Sequence, residues 1–294
     1  MTPPEISELQ PARDGVIRSS AWLGRIVCGD NTEVLSGFPD ACIDLVVTSP
    51  PYDDMRTYGG HSWNFETLAA QLVRVLKPGG VIVWNIADQT QNGSESGTSF
   101  EQALGFKRFG LWLYDTMIWD KTNITTPTEG RYYDVWEYMF VLSKGKPSRL
   151  NLLTDRKNIA AGGTYRSISK IGAEARSNKT LRVNTIPETS RRHNIWRIPT
   201  EMGVDGHPAP FPERLAKDHI ASWSNPGDVV LDPFSGSGTT CKAAKELNRQ
   251  WCGIEINPEY CAIAEARLSQ DVLQLETCAM RPNDKVSDGS ANHQ

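Results

Sequence analysis

An α/β fold with a mostly parallel sheet is predicted for this 294-residue chain by three patterns in its sequence. Short apolar runs typical of buried strands alternate with segments typical of helices, and this alternation indicates a parallel sheet with helices on both faces. One apolar run ends in "TSPPY" (48–52), and a later one enters the glycine-rich stretch "DPFSGSGTT" (232–240). Ligands of such sheets bind in the crevice at the carboxyl ends of the strands, so we expect both stretches to line that crevice.

The elements are expected in a regular order along the chain. After the first strands and helices, two apolar, aromatic segments are expected to pair antiparallel at one edge of the sheet. We interpret "LKPGG" (76–80) as the stop of the preceding helix. Residues 228–268 predict a strand, a glycine loop, a helix, a second strand and a closing helix. The other predicted strands are "RIVCGD" (25–30), "CIDLVVTS" (42–49), "GGVIVWNIAD" (79–88), "FGLWLYDTMIWDK" (109–121) and "YYDVWEYMFVLSKG" (132–145), and the other helices are "TEVLSGF" (32–38), "FETLAAQLVRVL" (65–76) and "HPAPFPERLAKDHIASW" (207–223).

The charge is distributed unevenly along the chain. The formal net charge is −4, but residues 144–197 hold thirteen Lys or Arg and three Asp or Glu, so 13 − 3 = +10 and the rest carries −14. Residues 146–194 are also weakly periodic and contain Gly and Ser, which predicts an insertion or small subdomain. Such a basic segment is typical of a module that meets phosphates, and a solvated Lys- and Arg-rich loop is the alternative interpretation.

Composition excludes several classes of protein. The 39% apolar content is sufficient for a buried core. No apolar run approaches the length of a membrane span, and the N-terminal residues lack the features of a secretion signal, so we expect a cytoplasmic protein. The six cysteines form no CxxC pair and do not cluster with histidines. We expect them to be reduced and mostly buried, with no metal site.

The stretch "VVLDPFSGSGTT" (229–240) has the form of a strand that turns through two glycines and opens a helix. Gly236 and Gly238 let the backbone approach a ligand closely, and the start of a helix attracts electron-rich groups. Glu255 ends the next predicted strand, nineteen residues after Gly236. A carboxylate there can accept hydrogen bonds from both hydroxyls of a ribose. The unit is therefore predicted to be the nucleoside-binding half of a Rossmann-like sheet.

The type of nucleoside follows from what the loop lacks. A P-loop requires a Lys before its Ser or Thr, and "SGSGTT" has none. A dinucleotide site has a third glycine where this chain has Cys241. A ligand with a ribose but no pyrophosphate remains, and S-adenosylmethionine fits this description. A tight strand-to-helix turn without any ligand is the alternative.

Together, "TSPPY" and "DPFSGSGTT" resemble the motifs of the amino-methyltransferases that modify DNA. Their order is similar to that of the β group, in which the catalytic motif comes first, a basic target-recognition insertion follows and the cofactor loop comes last. The similarity extends over residues 24–268 and includes "CGD", "LKPGG", "IWDK" and "HPAPFPERL". The resemblance implies a seven-stranded, mostly parallel, Rossmann-like methyltransferase sheet, with S-adenosylmethionine as cofactor and double-stranded DNA as partner.

The resemblance also divides the chain and implies its setting. No membrane partner is expected, whereas a homodimer and a separate restriction endonuclease are compatible with the sequence. A bacterial, archaeal or phage-encoded protein is expected. The predicted parts are a flexible N-terminus (1–20), the catalytic half of the methyltransferase domain (21–145), the target-recognition insertion (146–194), the cofactor-binding half (195–270) and a flexible tail (271–294).

Roles are carried over residue by residue. Glu255 takes the ribose, and Asp30 is similar to the acidic residue that contacts the adenine amino group, although a helix cap is the alternative for Asp30. The implied cofactor residues are Asp30, His207, Phe211, Asp232, Pro233, Phe234, Ser235, Gly236, Gly238, Thr239, Thr240 and Glu255; the catalytic residues are Ser49, Pro50, Pro51 and Tyr52; and the candidate DNA contacts of the basic insertion are Arg166, Lys170, Arg176, Lys179, Arg182, Arg191 and Arg192.

The chemistry of an exocyclic base amine explains the proline-rich motif. Such an amine is a poor nucleophile, because its lone pair is drawn into the ring. The hydroxyl of Ser49 and the carbonyl of Pro50, held rigid by the two prolines, can accept hydrogen bonds from its two hydrogens. The ring of Tyr52 can lie against a base swung out of the duplex, with a core tyrosine as the alternative. No covalent enzyme intermediate and no metal are required.

Serine at position 49 bears on the base. Within the family, "SPPY" is found more often in enzymes that act on cytosine N4, and "DPPY" or "NPPY" in those that act on adenine N6. The resemblance therefore implies a cytosine-N4-specific enzyme, with adenine N6 as the alternative and RNA as another substrate left open. A DNA-binding protein with a vestigial cofactor pocket is the alternative of another class. Trp196 is expected to anchor the insertion to the sheet.

Overall fold

The computed structural model describes residues 19–52, 63–122, 130–169, 180–201 and 212–269. No helix within these ranges is long and apolar enough to cross a membrane. The strands are β1 (Arg25–Cys28), β2 (Ile43–Thr48), β3 (Leu76–Ile86), β4 (Thr90–Gln91), β5 (Ser94–Glu95), β6 (Trp112–Asp120), β7 (Trp136–Ser143), β8 (Arg156–Lys157), β9 (Thr164–Ser169), β10 (Thr180–Thr185), β11 (Thr189–Ser190), β12 (Ile195–Arg197), β13 (Val229–Asp232) and β14 (Gln250–Glu255). The helices are α1 (Ser19–Trp22), α2 (Asn31–Ser36), α3 (Phe65–Val75), α4 (Thr98–Arg108), α5 (Glu213–Trp223), α6 (Thr239–Glu246) and α7 (Pro258–Ser269).

Eight of the strands form the central sheet, in the order β1-β14-β13-β2-β3-β7-β6-β12. The first five run parallel to one another, β7 runs antiparallel to β3, and β6 runs antiparallel to β7. The predicted α/β fold with a mostly parallel sheet is confirmed, as is the antiparallel aromatic pair. The pair does not form the edge, however, because the short β12 adds parallel to β6 as an eighth strand.

Helices pack on both faces of the sheet, as the alternation of buried side chains in β3 shows. Trp84 packs with Leu72 of α3 and Phe106 of α4 on one face. Val83, the preceding residue of the same strand, packs with Leu215 of α5 on the other face. Successive side chains of a strand point to opposite faces, so an almost wholly apolar strand is buried on both sides.

The segment "LKPGG" departs from its predicted role as a simple helix stop. Helix α3 ends at Val75, but residues 76–80 already belong to β3. The N–H of Gly79 donates to the carbonyl of Lys144 (2.7 Å), and the N–H of Ser148 donates to the carbonyl of Gly79 (2.9 Å). Gly79 has φ +78°, and a Cβ there would lie 2.9 Å from Cβ of Ser148. The glycine thus permits a close backbone crossing with the segment that leaves β7.

The predicted insertion contains two small antiparallel pairs outside the central sheet. β9 pairs with β10, and β8 pairs with β11. The chain then returns to the sheet through β12. Arg197, the last residue of β12, is opposite Asp120, and Asp120 is opposite Trp136 at the start of β7. β12 therefore runs toward the edge where the parallel strands have their carboxyl ends, and its last residue lies there.

Trp196 anchors the end of the insertion, as predicted. Its side chain is buried in β12 and stacks on His219 of α5 with a ring separation of 4.5 Å. The guanidinium of Arg192 lies 4.9 Å from the centre of the same indole ring and pairs with Asp155 and with Asp218 of α5 (2.6 Å to the latter). Burial lowers the pKa of His219 to about 3, so its ring is neutral near pH 7.

Candidate active site

The two predicted motifs lie side by side at the carboxyl edge of the sheet. β2 and β13 are adjacent and parallel, with Val46 opposite Leu231. Just beyond this pair, the hydroxyl of Thr48 donates a hydrogen bond to Oδ1 of Asp232 (2.7 Å). The prediction that the two motifs meet at one edge of the sheet is therefore confirmed.

Asp232 is a buried carboxylate at the junction of the two motifs. It is 5% exposed and accepts hydrogen bonds from Thr48 and from the backbone N–H of Phe234 (3.1 Å). Burial raises the pKa of Asp232 to about 6, although these hydrogen bonds act in the opposite direction. The side chain thus ties the first turn of the glycine loop to the end of β2.

The raised pKa predicts a specific pH dependence of stability. The folded protein keeps the proton of Asp232 up to about pH 6, whereas the unfolded chain loses it near 3.8. The contribution of Asp232 to the free energy of unfolding is therefore highest below pH 4, and it falls by about 3 kcal/mol as the pH rises from 4 to 6. Asp232→Asn should remove this component, which urea denaturation of both proteins between pH 4 and 7 would measure. Parallel stability curves for the two proteins would contradict the assignment.

The glycine loop uses its two glycines differently. Both have positive φ, +51° at Gly236 and +80° at Gly238. The N–H of Gly236 donates to Oε2 of Glu255 (2.8 Å), whereas that of Gly238 donates to the carbonyl of Ser235 (2.8 Å). A Cβ at Gly238 would lie 3.0 Å from Cβ of Ala264 in α7. Gly238 is therefore needed for the turn and for helix packing, a role that the sequence did not indicate.

Two acidic side chains lie at the ends of neighbouring strands. Glu255 ends β14 opposite Cys28 of β1, and Asp30 follows β1 two residues later. Oε1 of Glu255 accepts a hydrogen bond from the N–H of Asn257 (2.9 Å). Oδ1 of Asp30 accepts from the N–H groups of residues 32 and 33, so Asp30 is indeed the N-cap of α2. The capping alternative is observed, and the backbone N–H of Gly29, the residue before Asp30, bonds to the carbonyl of Glu255 (2.8 Å).

Two residues that the sequence analysis did not single out support the glycine loop. Asn31, 7% exposed in α2, donates from Nδ2 to the carbonyl of Pro233 (3.2 Å). The ring of Trp63 lies 5.1 Å from the ring of Phe234, in an edge-on arrangement. Neither residue belongs to a recognisable motif. Their contacts fix the first residues of the loop against α2 and the segment before α3.

Ser49 and Tyr52 form part of a polar cluster beside the glycine loop. Oγ of Ser49 lies 2.7 Å from the hydroxyl of Tyr52, and that hydroxyl donates to Oε2 of Glu137 (2.7 Å). Nδ2 of Asn85 donates to the hydroxyl of Tyr52 (2.7 Å) and to Oε2 of Glu137 (2.6 Å). Burial and the neighbouring Glu137 raise the pKa of Tyr52 well above 10, so its phenol keeps its proton.

The sequence analysis missed Asn85 and Glu137, although it contained a signal for both. Each is a polar residue inside an apolar strand, in "VIVWNIAD" and "DVWEYMFV". Such residues remain buried only when they are hydrogen-bonded or paired, and both lie at the carboxyl edge. In the rest of the motif, Pro50 is buried, while Ser49 and Pro51 are half-buried.

The structure describes only part of the remaining predicted set. Arg166 and Arg191 are exposed. For Arg182 the structure describes the backbone, in β10. The predicted cofactor residues His207 and Phe211, and the predicted DNA contacts Lys170, Arg176 and Lys179, lie outside the described residues.

The described residues also bear on the expectations for metals and cysteines. Among them, no group of three His, Cys, Asp or Glu side chains could hold a metal ion. The described cysteines are free, with Cys241, Cys252 and Cys261 buried and Cys28 and Cys42 partly buried. Mostly buried cysteines were predicted, and three of these five are buried. Their reduced state stays a prediction.

The donor chemistry of the edge fits S-adenosylmethionine. Asp30 and Glu255 supply carboxylates, which accept hydrogen bonds from hydroxyl and amino groups. The loop from Asp232 to Gly238 wraps the end of β13 and opens α6. When bound, the cofactor supplies an electrophilic methyl group.

Comparison with known proteins identifies the family of this chain. A model of the DNA methylase family matches residues 43–266. The chain is 51% identical over 247 residues to the orphan methyltransferase M.BamHII of Bacillus amyloliquefaciens, covering 80% of this chain and 91% of the relative. It is 29% identical over 286 residues to the type II methyltransferase M.SmaI of Serratia marcescens, covering 83% and 90%.

Solved structures of DNA methyltransferases also resemble this chain. A putative DNA modification methylase from Thermus thermophilus, complexed with S-adenosyl-L-methionine, is 27% identical, with a TM-score of 0.55 over 83% of this chain and 94% of that one. The cytosine-N4-specific PvuII DNA methyltransferase shares the fold at 22% identity, with a TM-score of 0.60 over 85% and 89%. The chain therefore belongs to the DNA methylase family and is an S-adenosylmethionine-dependent DNA amino-methyltransferase.

Proposed function

We propose that this methyltransferase transfers the methyl group to the N4 amino group of a cytosine that is flipped out of duplex DNA. The observation that carries the proposal is the hydrogen bond between Thr48 and Asp232, because it joins the proline-rich motif to the cofactor loop. An amine held by the first motif would meet a methyl donor held by the second. Serine at position 49 supports cytosine as the base.

The chain's own residues have the following parts in this proposal. The hydroxyl of Ser49 and the carbonyl of Pro50 accept hydrogen bonds from the two amine hydrogens, so the lone pair faces the methyl group. The prolines keep both acceptors in place. The half-buried ring of Tyr52 packs against the flipped base, since its hydroxyl is already held by Glu137 and Asn85.

The cofactor is proposed to lie along the carboxyl edge from β13 to β1. Glu255 accepts hydrogen bonds from the ribose hydroxyls, and Asp30 accepts one from the adenine amino group. The loop between Asp232 and Thr240 surrounds the methionine end. The backbone bonds that hold Glu255 and Asp30 support these roles, because they fix both carboxylates before the ligand arrives.

Target recognition is proposed to fall to the basic insertion, with Arg166 and Arg191 among the DNA contacts. Arg192 is not among the proposed DNA contacts, because its guanidinium is already paired with two aspartates and stacked on Trp196. Lys144, Arg149 and Arg197 likewise bond to the rest of the domain. The formal charge of +10 therefore overstates the number of basic side chains that are free to contact DNA.

Arg166 and Arg192 form a matched pair for testing this division of roles. Arg166→Ala should weaken DNA binding and reduce the slope of log affinity against log salt by about 1, with little change in Tm. Arg192→Ala should leave the salt slope unchanged but lower stability by about 1–2 kcal/mol, because two partly exposed aspartates lose their partner and Trp196 loses the guanidinium on its ring. Fluorescence anisotropy at several salt concentrations and urea denaturation would measure both effects. Identical salt slopes in Arg166→Ala and the wild type would contradict the assignment of Arg166.

One experiment tests the proposed function. Plasmid from cells that express the protein, and from matched cells that lack it, is digested to nucleosides and analysed by mass spectrometry. N4-methylcytosine in the first sample alone is the expected result. N6-methyladenine would show that the base is adenine rather than cytosine, while the proposed methyl transfer to a base amine would still hold. Binding of labelled cofactor without transfer to DNA would favour the non-catalytic alternative, and transfer to RNA alone would replace the substrate.

A further inference from the structure

We propose that Ser49, Tyr52 and Glu137 form a proton relay, in which Glu137 receives the proton that the substrate amine releases. The relay rests on the methyl transfer proposed above. It adds to the catalytic motif a residue that is contributed by β7 rather than by the "TSPPY" stretch. The relay is defined by three atoms in series: Oγ of Ser49, the hydroxyl oxygen of Tyr52 and Oε2 of Glu137.

The geometry makes the series continuous. Ser49 Oγ and the Tyr52 hydroxyl are 2.7 Å apart, and the Tyr52 hydroxyl and Glu137 Oε2 are also 2.7 Å apart. Both distances are typical of O–H···O hydrogen bonds. Ser49 is half-buried, whereas Glu137 is 9% exposed. The series therefore leads from the crevice into the protein.

The hydrogen bonds also set the direction of the relay. A carboxylate only accepts, so the Tyr52 hydrogen points to Glu137. The Tyr52 oxygen has two remaining acceptor positions, and Nδ2 of Asn85 takes one of them (2.7 Å). The other accepts the hydrogen of Ser49. Nδ2 of Asn85 lies 3.5 Å from Ser49 Oγ, at the limit of a hydrogen bond. Because the hydrogen of Ser49 points to Tyr52, Ser49 Oγ still has a lone pair for a hydrogen of an incoming amine.

Asn85 and Lys121 hold the carboxylate in this arrangement. Nδ2 of Asn85 lies 2.6 Å from Oε2 of Glu137 and donates to it. If the amide were reversed, Oδ1 of Asn85 would face Oε2 and the two oxygens would repel each other, so this orientation of the amide is the favourable one. Nζ of Lys121 lies 3.1 Å from Oε1 and supplies the counter-charge. Asn85 is 0% exposed, and its Oδ1 has no hydrogen-bond partner among the described residues. The amide therefore leaves its own oxygen unpaired while its nitrogen bonds to the Tyr52 hydroxyl and to Glu137, so its orientation supports that carboxylate.

The proposed step balances in atoms and charge. The amine nitrogen forms a bond to the methyl carbon as the carbon–sulfur bond breaks, and the nitrogen then carries one excess proton. Ser49 Oγ accepts this proton and passes its own hydrogen to Tyr52, which passes its hydrogen to Glu137. The nitrogen keeps the electron pair of the broken N–H bond. Glu137 becomes a neutral carboxylic acid, and no group is oxidised or reduced.

Glu137→Gln and Tyr52→Phe test the relay, because each removes one member and keeps its shape. In single-turnover reactions with DNA and labelled cofactor, each variant should transfer the methyl group about 100-fold more slowly than the wild type. The double variant should be no slower than the slower single variant, since a broken relay cannot be broken twice. Glu137→Asp, which keeps the acid, should recover at least about tenfold relative to Glu137→Gln.

The controls separate the relay from folding and from the proposed function. Cofactor Kd should stay within about twofold of the wild type in all variants, as should the transfer rate of Asp40→Asn, an exposed acid that pairs with Arg74 before β2. A Glu137→Gln rate within about threefold of the wild type, or a double variant slowed by the product of the single effects, would overturn the relay alone. Wild-type protein that methylates no DNA would overturn the proposed function, and the relay with it.

Discussion

Ser49→Ala should lower the single-turnover rate of methyl transfer by about 10²- to 10³-fold, while the Kd for S-adenosylmethionine stays within about twofold. The substitution removes one acceptor for the amine hydrogens, which the reaction needs as the nitrogen becomes pyramidal. It also removes the first member of the series to Tyr52 and Glu137. Rapid-quench assays with tritiated cofactor and calorimetric titration would measure the two quantities.

Ser36→Ala is the matched control for this experiment. Ser36 is an exposed serine at the end of α2, where its hydroxyl bonds to the carbonyl of Glu33, away from the carboxyl edge. Its removal should leave the rate unchanged. A Ser49→Ala enzyme that transfers at the wild-type rate would show that the hydroxyl takes no part in catalysis, even if the methylated base is cytosine.

Glu255→Ala should have the opposite pattern, with a loss of cofactor affinity of about 100-fold or more. Two hydrogen bonds from ribose hydroxyls to a charged acceptor are lost, each contributing about 1.5–3 kcal/mol. The N–H groups of Gly236 and Asn257 also lose their acceptor, so Tm should fall. At saturating cofactor the transfer rate should recover most of its wild-type value. Calorimetry, thermal denaturation and single-turnover assays would measure the three effects.

Glu255→Gln and Glu259→Ala refine this test. Glutamine keeps one acceptor oxygen, so its affinity should lie between those of the wild type and Glu255→Ala. Glu259, exposed in the first turn of α7, lies four residues further on and should be replaceable without loss of affinity. Unchanged affinity in Glu255→Ala would remove the ribose contact from the proposed site and leave the proline-rich motif unaffected.

Much of the fold could be predicted because its signals are local. Apolar runs of strand length, separated by helical segments, identified the five parallel strands, which are β1, β14, β13, β2 and β3 in sheet order. The aromatic runs identified β6 and β7. β12 was missed because a strand of three residues has no periodicity to recognise. "LKPGG" was read as a stop because its local chemistry suits one, and its pairing with the chain after β7 is a long-range contact.

The residues of the candidate site could likewise be predicted where they stand in local motifs, and could not be predicted where their role depends on long-range contacts. Ser49, Tyr52, Asp232 and Glu255 stand in recognisable motifs, and the structure places them along one edge of the sheet. Arg192 was predicted as a DNA contact from its charge, and the sequence did not indicate its two acidic partners, because they are distant along the chain.

The sequence by itself determined the fold class, the shared edge of the two motifs and the family, because these depend on periodicity and on motifs within short stretches. Only the tertiary structure decided that Asn85 and Glu137 complete the cluster around Ser49 and Tyr52, and that Gly238 serves the packing of α7. The physical reason is that hydrogen bonding and close packing depend on distance in space. Glu137 is 85 residues from Tyr52 along the chain, yet their oxygens are 2.7 Å apart.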